Sequence, residues 1–155
     1  MRVILVVLMI LCSAAVAETH DQKLDRLVAI KWHGVSQQAD SNIVGGKVSY
    51  EEWLELGLET GDKLTGKART KVTLDGKSYT VARNVTGKLD RAKNAIEIEM
   101  VKIRGDQLPN RRYWCSTLSG TLTFFQNKDR PLKHLLKGTL SSGGCGHDSE
   151  FELRE

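Results

Sequence analysis

From about Ile30 to the C-terminus, apolar residues recur at every second position, the signature of strands that bury one face. The clearest run puts Leu64, Gly66, Ala68, Thr70, Val72 and Leu74 on one face and Thr65, Lys67, Arg69, Lys71 and Thr73 on the other. Tyr79, Val81, Val85, Gly87 and Leu89 share a second apolar face. The same period predicts further strands at roughly 30–36, 50–59, 95–103, 113–126, 132–141 and 149–154. Residues 20–29 break the pattern. Leu24, Leu27 and Val28 fall at helical spacing and predict a short helix before the first strand.

Turn chemistry sets the register of two hairpins. Asp75-Gly76 suits a type I′ turn, whose central residues both need positive φ. It pairs Leu74 with Lys77, Val72 with Tyr79, Thr70 with Val81 and Ala68 with Arg83, keeping both apolar faces together. A turn around Thr60-Gly61-Asp62 pairs Glu59 with Lys63. Glu55 then meets Lys67, Glu51 meets Lys71, and Trp53 meets Arg69 in a cation–π contact on the outer face. An apolar-x-Gly-x-apolar unit recurs around Gly66, Gly87, Gly120 and Gly138, with Trp32-His33-Gly34 as a looser relative. Inward glycines leave space where strands coil sharply, as barrel closure requires. About eight antiparallel strands of this kind predict an all-β fold, a single up-and-down barrel, with a β-sandwich as the alternative.

The first seventeen residues read as a secretory leader: Arg2, an apolar run Val3 to Leu11, and Ala15-Val16-Ala17 before the cleavage point. The run is too short to span a bilayer, and Leu11 is too large to precede a lipidated Cys12, so no membrane anchor is expected. Cleavage leaves 138 of the 155 residues, an N-terminal segment 18–29 and a barrel domain 30–155. It also removes one of three cysteines, and in an oxidising compartment Cys115 and Cys145 are expected to pair. Only Arg2 is lost among the charges, so 22 basic residues face 19 acidic ones, a net charge of +3. That mild excess permits an acidic partner. No basic helix or RNA-binding signature points to nucleic acid.

Parity aims two polar residues inward. Arg83 interrupts the face of Val81 and Val85, and His134 lies between Leu132 and Leu136, where pairing Phe124 with Leu132 sets it opposite Leu122. Arg83 either anchors an acidic ligand, with Tyr79, Trp32, Trp114 and His134 lining a pocket, or pairs with a structural acid such as Glu52 or Glu150. Trp53 is expected to face outward, where it suits a partner surface, and Lys102 to Arg112 form a basic loop containing Arg104, Arg111 and Arg112. Cys145-Gly146-His147-Asp148 lacks any supporting nucleophile or metal signature, so no catalytic residue is assigned. No cofactor is assigned either. A chain beginning Glu18-Thr19-His20 offers an amine, amides and an imidazole to Cu(II) or Ni(II), and Asn84-Val85-Thr86 is a glycosylation sequon.

The early tryptophan with glycine two residues later, the meandering strands and the late cysteine pair resemble calycin-type barrels, the group of lipocalins and avidins. Gly76-Lys77-Ser78-Tyr79 is similar to a Ser-Gly-x-x-Tyr segment of periplasmic lysozyme inhibitors, with Lys137-Gly138 answering a second segment. The second resemblance implies Lys77 and Ser78 as partner contacts. Three readings follow: an exported barrel holding an amphipathic or anionic small molecule, an exported inhibitor or protein-interaction module, and, third, a hydrolase-type enzyme using His134 or His147.

Overall fold

The computed structural model describes residues 17–39, 43, 45–143 and 145–155. The leader expected over 1–17 therefore lies, Ala17 apart, outside the described residues. A helix α1 (His20–Val28) precedes eight strands: β1 (Lys31–Gln38), β2 (Val48–Leu58), β3 (Lys63–Leu74), β4 (Lys77–Asp90), β5 (Ala95–Gly105), β6 (Thr117–Gln126), β7 (His134–Ser142) and β8 (Asp148–Arg154). Each strand pairs antiparallel with the next, and β8 returns to β1 with Leu153 beside Gly34. One closed sheet results, an up-and-down barrel consistent with calycin-like architecture, and the sandwich alternative falls away.

Both turn-derived registers are realised. Asp75 and Gly76 take φ of 49° and 75°, and the β3–β4 pairs run from Leu74 with Lys77 through Ala68 with Arg83. On β2–β3, Glu51 meets Lys71 and Trp53 meets Arg69. The Lys71 ammonium lies 2.5 Å from Glu51, and the Arg69 guanidinium sits 4.1 Å from the Trp53 ring centre. Glu55 is opposite Lys67 but bonds Lys31 of β1 instead, at 3.2 Å.

The β6–β7 register differs from expectation. Phe124 pairs with Leu136 and Gln126 with His134, so Gly138, not His134, stands opposite Leu122. Leu132 lies outside the strand and is 90% exposed. The connecting segment closes on its own bonds instead: Asn127 N–H donates to the Lys133 carbonyl at 2.9 Å and Gln126 Nε2 to the Pro131 carbonyl at 2.7 Å. The slip is an even number of residues, which leaves the inward face unchanged. β6 also starts later than expected, at Thr117, because residues 106–116 form a loop over the barrel end.

Helix α1 plugs one end. Thr19 and Gln22 form a reciprocal capping box, and Leu24, Leu27 and Val28 are buried in the main core. Trp32 Nε1 donates to the Leu27 carbonyl at 3.2 Å, satisfying one of the acceptors that a helix C-terminus leaves open. Arg91, in the β4–β5 turn, reaches Asp25 at 2.7 Å and Asp62 at 2.9 Å, tying the plug to the rim. The same capping box employs the Thr19 amide, and His20 Nε2 lies 3.4 Å from the Arg91 carbonyl.

The inward glycines permit this closure. A Cβ placed on Gly34, Gly66, Gly87 or Gly138 would lie 2.1 Å from a carbonyl oxygen of the neighbouring strand. Gly66→Ala is therefore expected to lower stability by about 1–3 kcal/mol in urea unfolding. Gly57→Ala is the control, since its nearest neighbour would be a carbonyl at 3.8 Å, an ordinary contact. Equal stability of the two variants would contradict the close-approach explanation.

Candidate functional site

Polar inward positions cluster at the end of the barrel opposite the helix. Ser36 and Gln38 on β1, Glu52 on β2, Thr70 on β3, Arg83 on β4 and Ser149 on β8 are all buried. They share a cavity of about 30 Å³ with Tyr50, Ile43, Leu118, Cys115 and Trp114. The Thr70 hydroxyl is the hub. It donates to Glu52 Oε2 at 2.7 Å and accepts from Arg83 Nη1 at 2.8 Å. Ser36 donates to Glu52 Oε1 at 2.5 Å, and Arg83 Nη2 donates to the Cys115 carbonyl at 3.3 Å. Glu52 and Arg83 thus communicate through a hydroxyl rather than by a direct ion pair. Burial pushes the Glu52 carboxyl up to about 7, against the opposing pull of the two hydroxyls and of Arg83.

A second apolar cluster covers this chamber: Ile43, Tyr50, Val72, Leu74, Val81, Leu108 and Trp114, with Tyr79 packed alongside. Trp114 Nε1 donates to the Asp106 carbonyl at 3.0 Å, and its ring would lie 2.9 Å from a Cβ on Gly105. Cys115 is disulfide-bonded to Cys145, joining the 106–116 loop to the β7–β8 connection. That bond was legible from the cysteine count.

The outer side of this rim is basic and partly apolar. β5 is bulged between its pairs with Ala82 and Arg83, and it pairs with β6 only as far as Val101. Residues 101–107 are all exposed, including Ile103 at 53%, and Tyr113 is 57% exposed in the adjoining loop. Lys102, Arg104, Arg111 and Arg112 enter no ion pair among the described residues. The one acid of this segment, Asp106, is engaged with the Thr80 amide at 2.6 Å.

Of the five residues expected to line a ligand pocket, the structure brings Arg83 and Trp114 together, with Tyr79 behind them. Trp32 lies under the helix plug, 5.8 Å from the Phe124 ring. His134 is at that same end, its Nδ1 3.2 Å from Glu155. Among the described residues, the groove beside His134 is lined by charged and amide side chains such as Asn127, Arg130, Lys133 and Glu152. His147 is held in the β7–β8 turn by Ser142, through its amide at 3.0 Å and its carbonyl. Trp53 is half-buried between its register partners, with the His33 ring stacked 4.8 Å away and Arg69 above it. Lys77 lies over Tyr79, and the Ser78 hydroxyl meets Thr73. Lys137 and Gly138 sit on β7, three strands round the barrel from the β4 that carries Lys77 and Ser78, so the two inhibitor-like segments do not converge. Asn84 of the sequon faces out and is exposed.

Of the two structural acids expected beside Arg83, Glu52 faces in and reaches it through Thr70, as parity requires with Glu51 facing out opposite Lys71, whereas Glu150 is exposed. No protein-family model, curated protein or solved structure matches the chain.

The raised Glu52 value fixes a pH dependence. The folded protein holds this proton more tightly than the unfolded chain does. Stability is therefore fully present below about pH 4.5 and is lost as pH rises toward 7, by about 3 kcal/mol in all. Glu51 and Glu152, held low by hydrogen bonds from Lys71 and Lys137, act in the opposite sense and in the acid range. Urea unfolding between about pH 5 and 8 should show the decline, and Glu52→Gln should flatten it. A stability that rises across this window in the native chain would contradict the burial account.

Proposed function

We propose that this chain is an exported protein-interaction module that docks an acidic protein partner on its basic rim. The observation that carries the reading is the concentration of charge. Lys102, Arg104, Arg111 and Arg112 against Asp106 amount to +3, the entire net charge expected of the processed chain. Exposed Val101, Ile103 and Tyr113 are interspersed with those cations, the mixture of apolar contact and complementary charge that protein interfaces use. Asn110 and Arg111 both take positive φ, 58° and 59°, a backbone held away from its ordinary preference where the loop turns outward. The disulfide suits an oxidising compartment, in keeping with removal of the leader after Ala17.

The interior supports this reading over a ligand-carrying barrel. Small-molecule sites occupy about 300 Å³ or more, roughly ten times the cavity beside Arg83. Leucines from six strands, with Trp32, Met100 and Phe151, fill the rest of the barrel.

A photoreactive p-benzoylphenylalanine in place of Ile103, in the exporting cell, tests the proposal. Illumination should yield an adduct with a protein whose contact surface is acidic. The adduct should fall roughly tenfold in the Arg104→Ala/Arg111→Ala/Arg112→Ala variant and in about 0.5 M salt. An adduct indifferent to both, or one formed with lipid or nucleic acid, would overturn it.

A further inference from the structure

Two buried nitrogens in the chamber have no hydrogen-bond partner, Arg83 Nε and Gln38 Nε2. Both residues line the 30 Å³ cavity and both are more than nine-tenths buried. Gln38 is oriented by its other end, since its Oε1 accepts from Tyr50 at 3.0 Å. Its amide nitrogen and Arg83 Nε are therefore donors without acceptors, and an unsatisfied buried donor costs about 1–3 kcal/mol. The space is large enough for one or two water-sized occupants and too small for a carboxylate-bearing metabolite.

Charge decides between water and an ion. The titratable side chains lining the chamber, among the described residues, are Glu52, Arg83 and Tyr50. β1, β3 and β8 present only the neutral Ser36, Gln38, Thr70 and Ser149, β6 presents Leu118, and the loop presents Trp114 and the disulfide-bonded Cys115. When Glu52 carries a proton, Arg83 is the chamber's one charge, and a buried unpaired guanidinium requires an anion. When Glu52 is ionised, the pair is already neutral and an anion would add an uncompensated charge.

We propose that the Arg83–Gln38 chamber is a halide-sized anion site in which one monovalent anion and one proton on Glu52 bind together. Arg83 Nε and Gln38 Nε2 donate to the anion, and the proton resides on the Glu52 carboxyl, so the chamber gains no net charge. The two ligands strengthen each other's binding by the same factor.

Bromide is the probe, used with the native disulfide-bonded chain. Crystals grown with sodium bromide at about pH 6 should give an anomalous peak within hydrogen-bond reach of both nitrogens. In solution, the Arg83 Nε–H resonance should titrate with bromide at constant ionic strength, with gluconate as the oversized counter-anion. The apparent affinity should be roughly 30-fold weaker at about pH 8.5 than at about pH 6, the loss expected of a site that needs a proton on a group titrating near 7. Glu52→Gln should bind bromide equally at both pH values. Water density alone at pH 6, or bromide affinity in the native chain that is unchanged at pH 8.5, would overturn the proposal without reference to any variant.

Discussion

Everything in this protein depends on how closely neighbouring strands approach as the sheet closes. At Gly34, Gly66, Gly87 and Gly138 the backbone of the next strand comes so near that a methyl group would meet its carbonyl oxygen. Those approaches fall on four different strand pairs, β1–β8, β2–β3, β4–β5 and β6–β7, which are distributed around the whole circumference. Eight strands coiled this tightly enclose an interior that side chains alone can fill. The consequence is a leucine-rich core with space left only where inward residues turn polar.

The two ends of the barrel solve closure differently. At one, an amphipathic helix inserts Leu24, Leu27 and Val28, and Trp32 and Arg91 fasten it by hydrogen bonds to its backbone and carboxylates. At the other, the 106–116 loop folds over, anchored by Trp114 and by the disulfide. The second solution carries polar groups inward and cations outward. Glu52, Thr70 and Arg83 form a hydrogen-bonded relay beneath Trp114, while Arg111 and Arg112 project from the same loop. Inner chamber and outer rim are thus two sides of one structural device, linked through the Cys115 carbonyl that accepts from Arg83.

Much of this was legible in the chain itself, for reasons that can be named. Asp75-Gly76 imposes a register because so few residues tolerate two positive φ values in succession, and that hairpin then determines which way Arg83 points. The β6–β7 connection carries no comparable signal. Its geometry comes from Gln126 and Asn127 bonding across a longer loop, and a register read from apolar matching alone slipped by four residues. Grouping Trp32 and His134 with Arg83 failed for a different reason. Parity states which face a residue occupies but not how far along the barrel axis it lies, and these two sit at the helix end. The bulge at Ile103 of β5, between Lys102 and Arg104, was likewise invisible, because it breaks the very alternation from which strands are read.

The central claim is that the barrel interior is occupied by its own side chains and that recognition happens on the outer rim. Titration of the processed chain with a fluorescent sixteen-carbon fatty acid, excited through tryptophan, addresses it directly. A filled interior predicts no saturable energy transfer from Trp32 or Trp114 to the probe at any concentration below probe self-association. Saturable one-to-one binding with transfer from the buried tryptophans would contradict it.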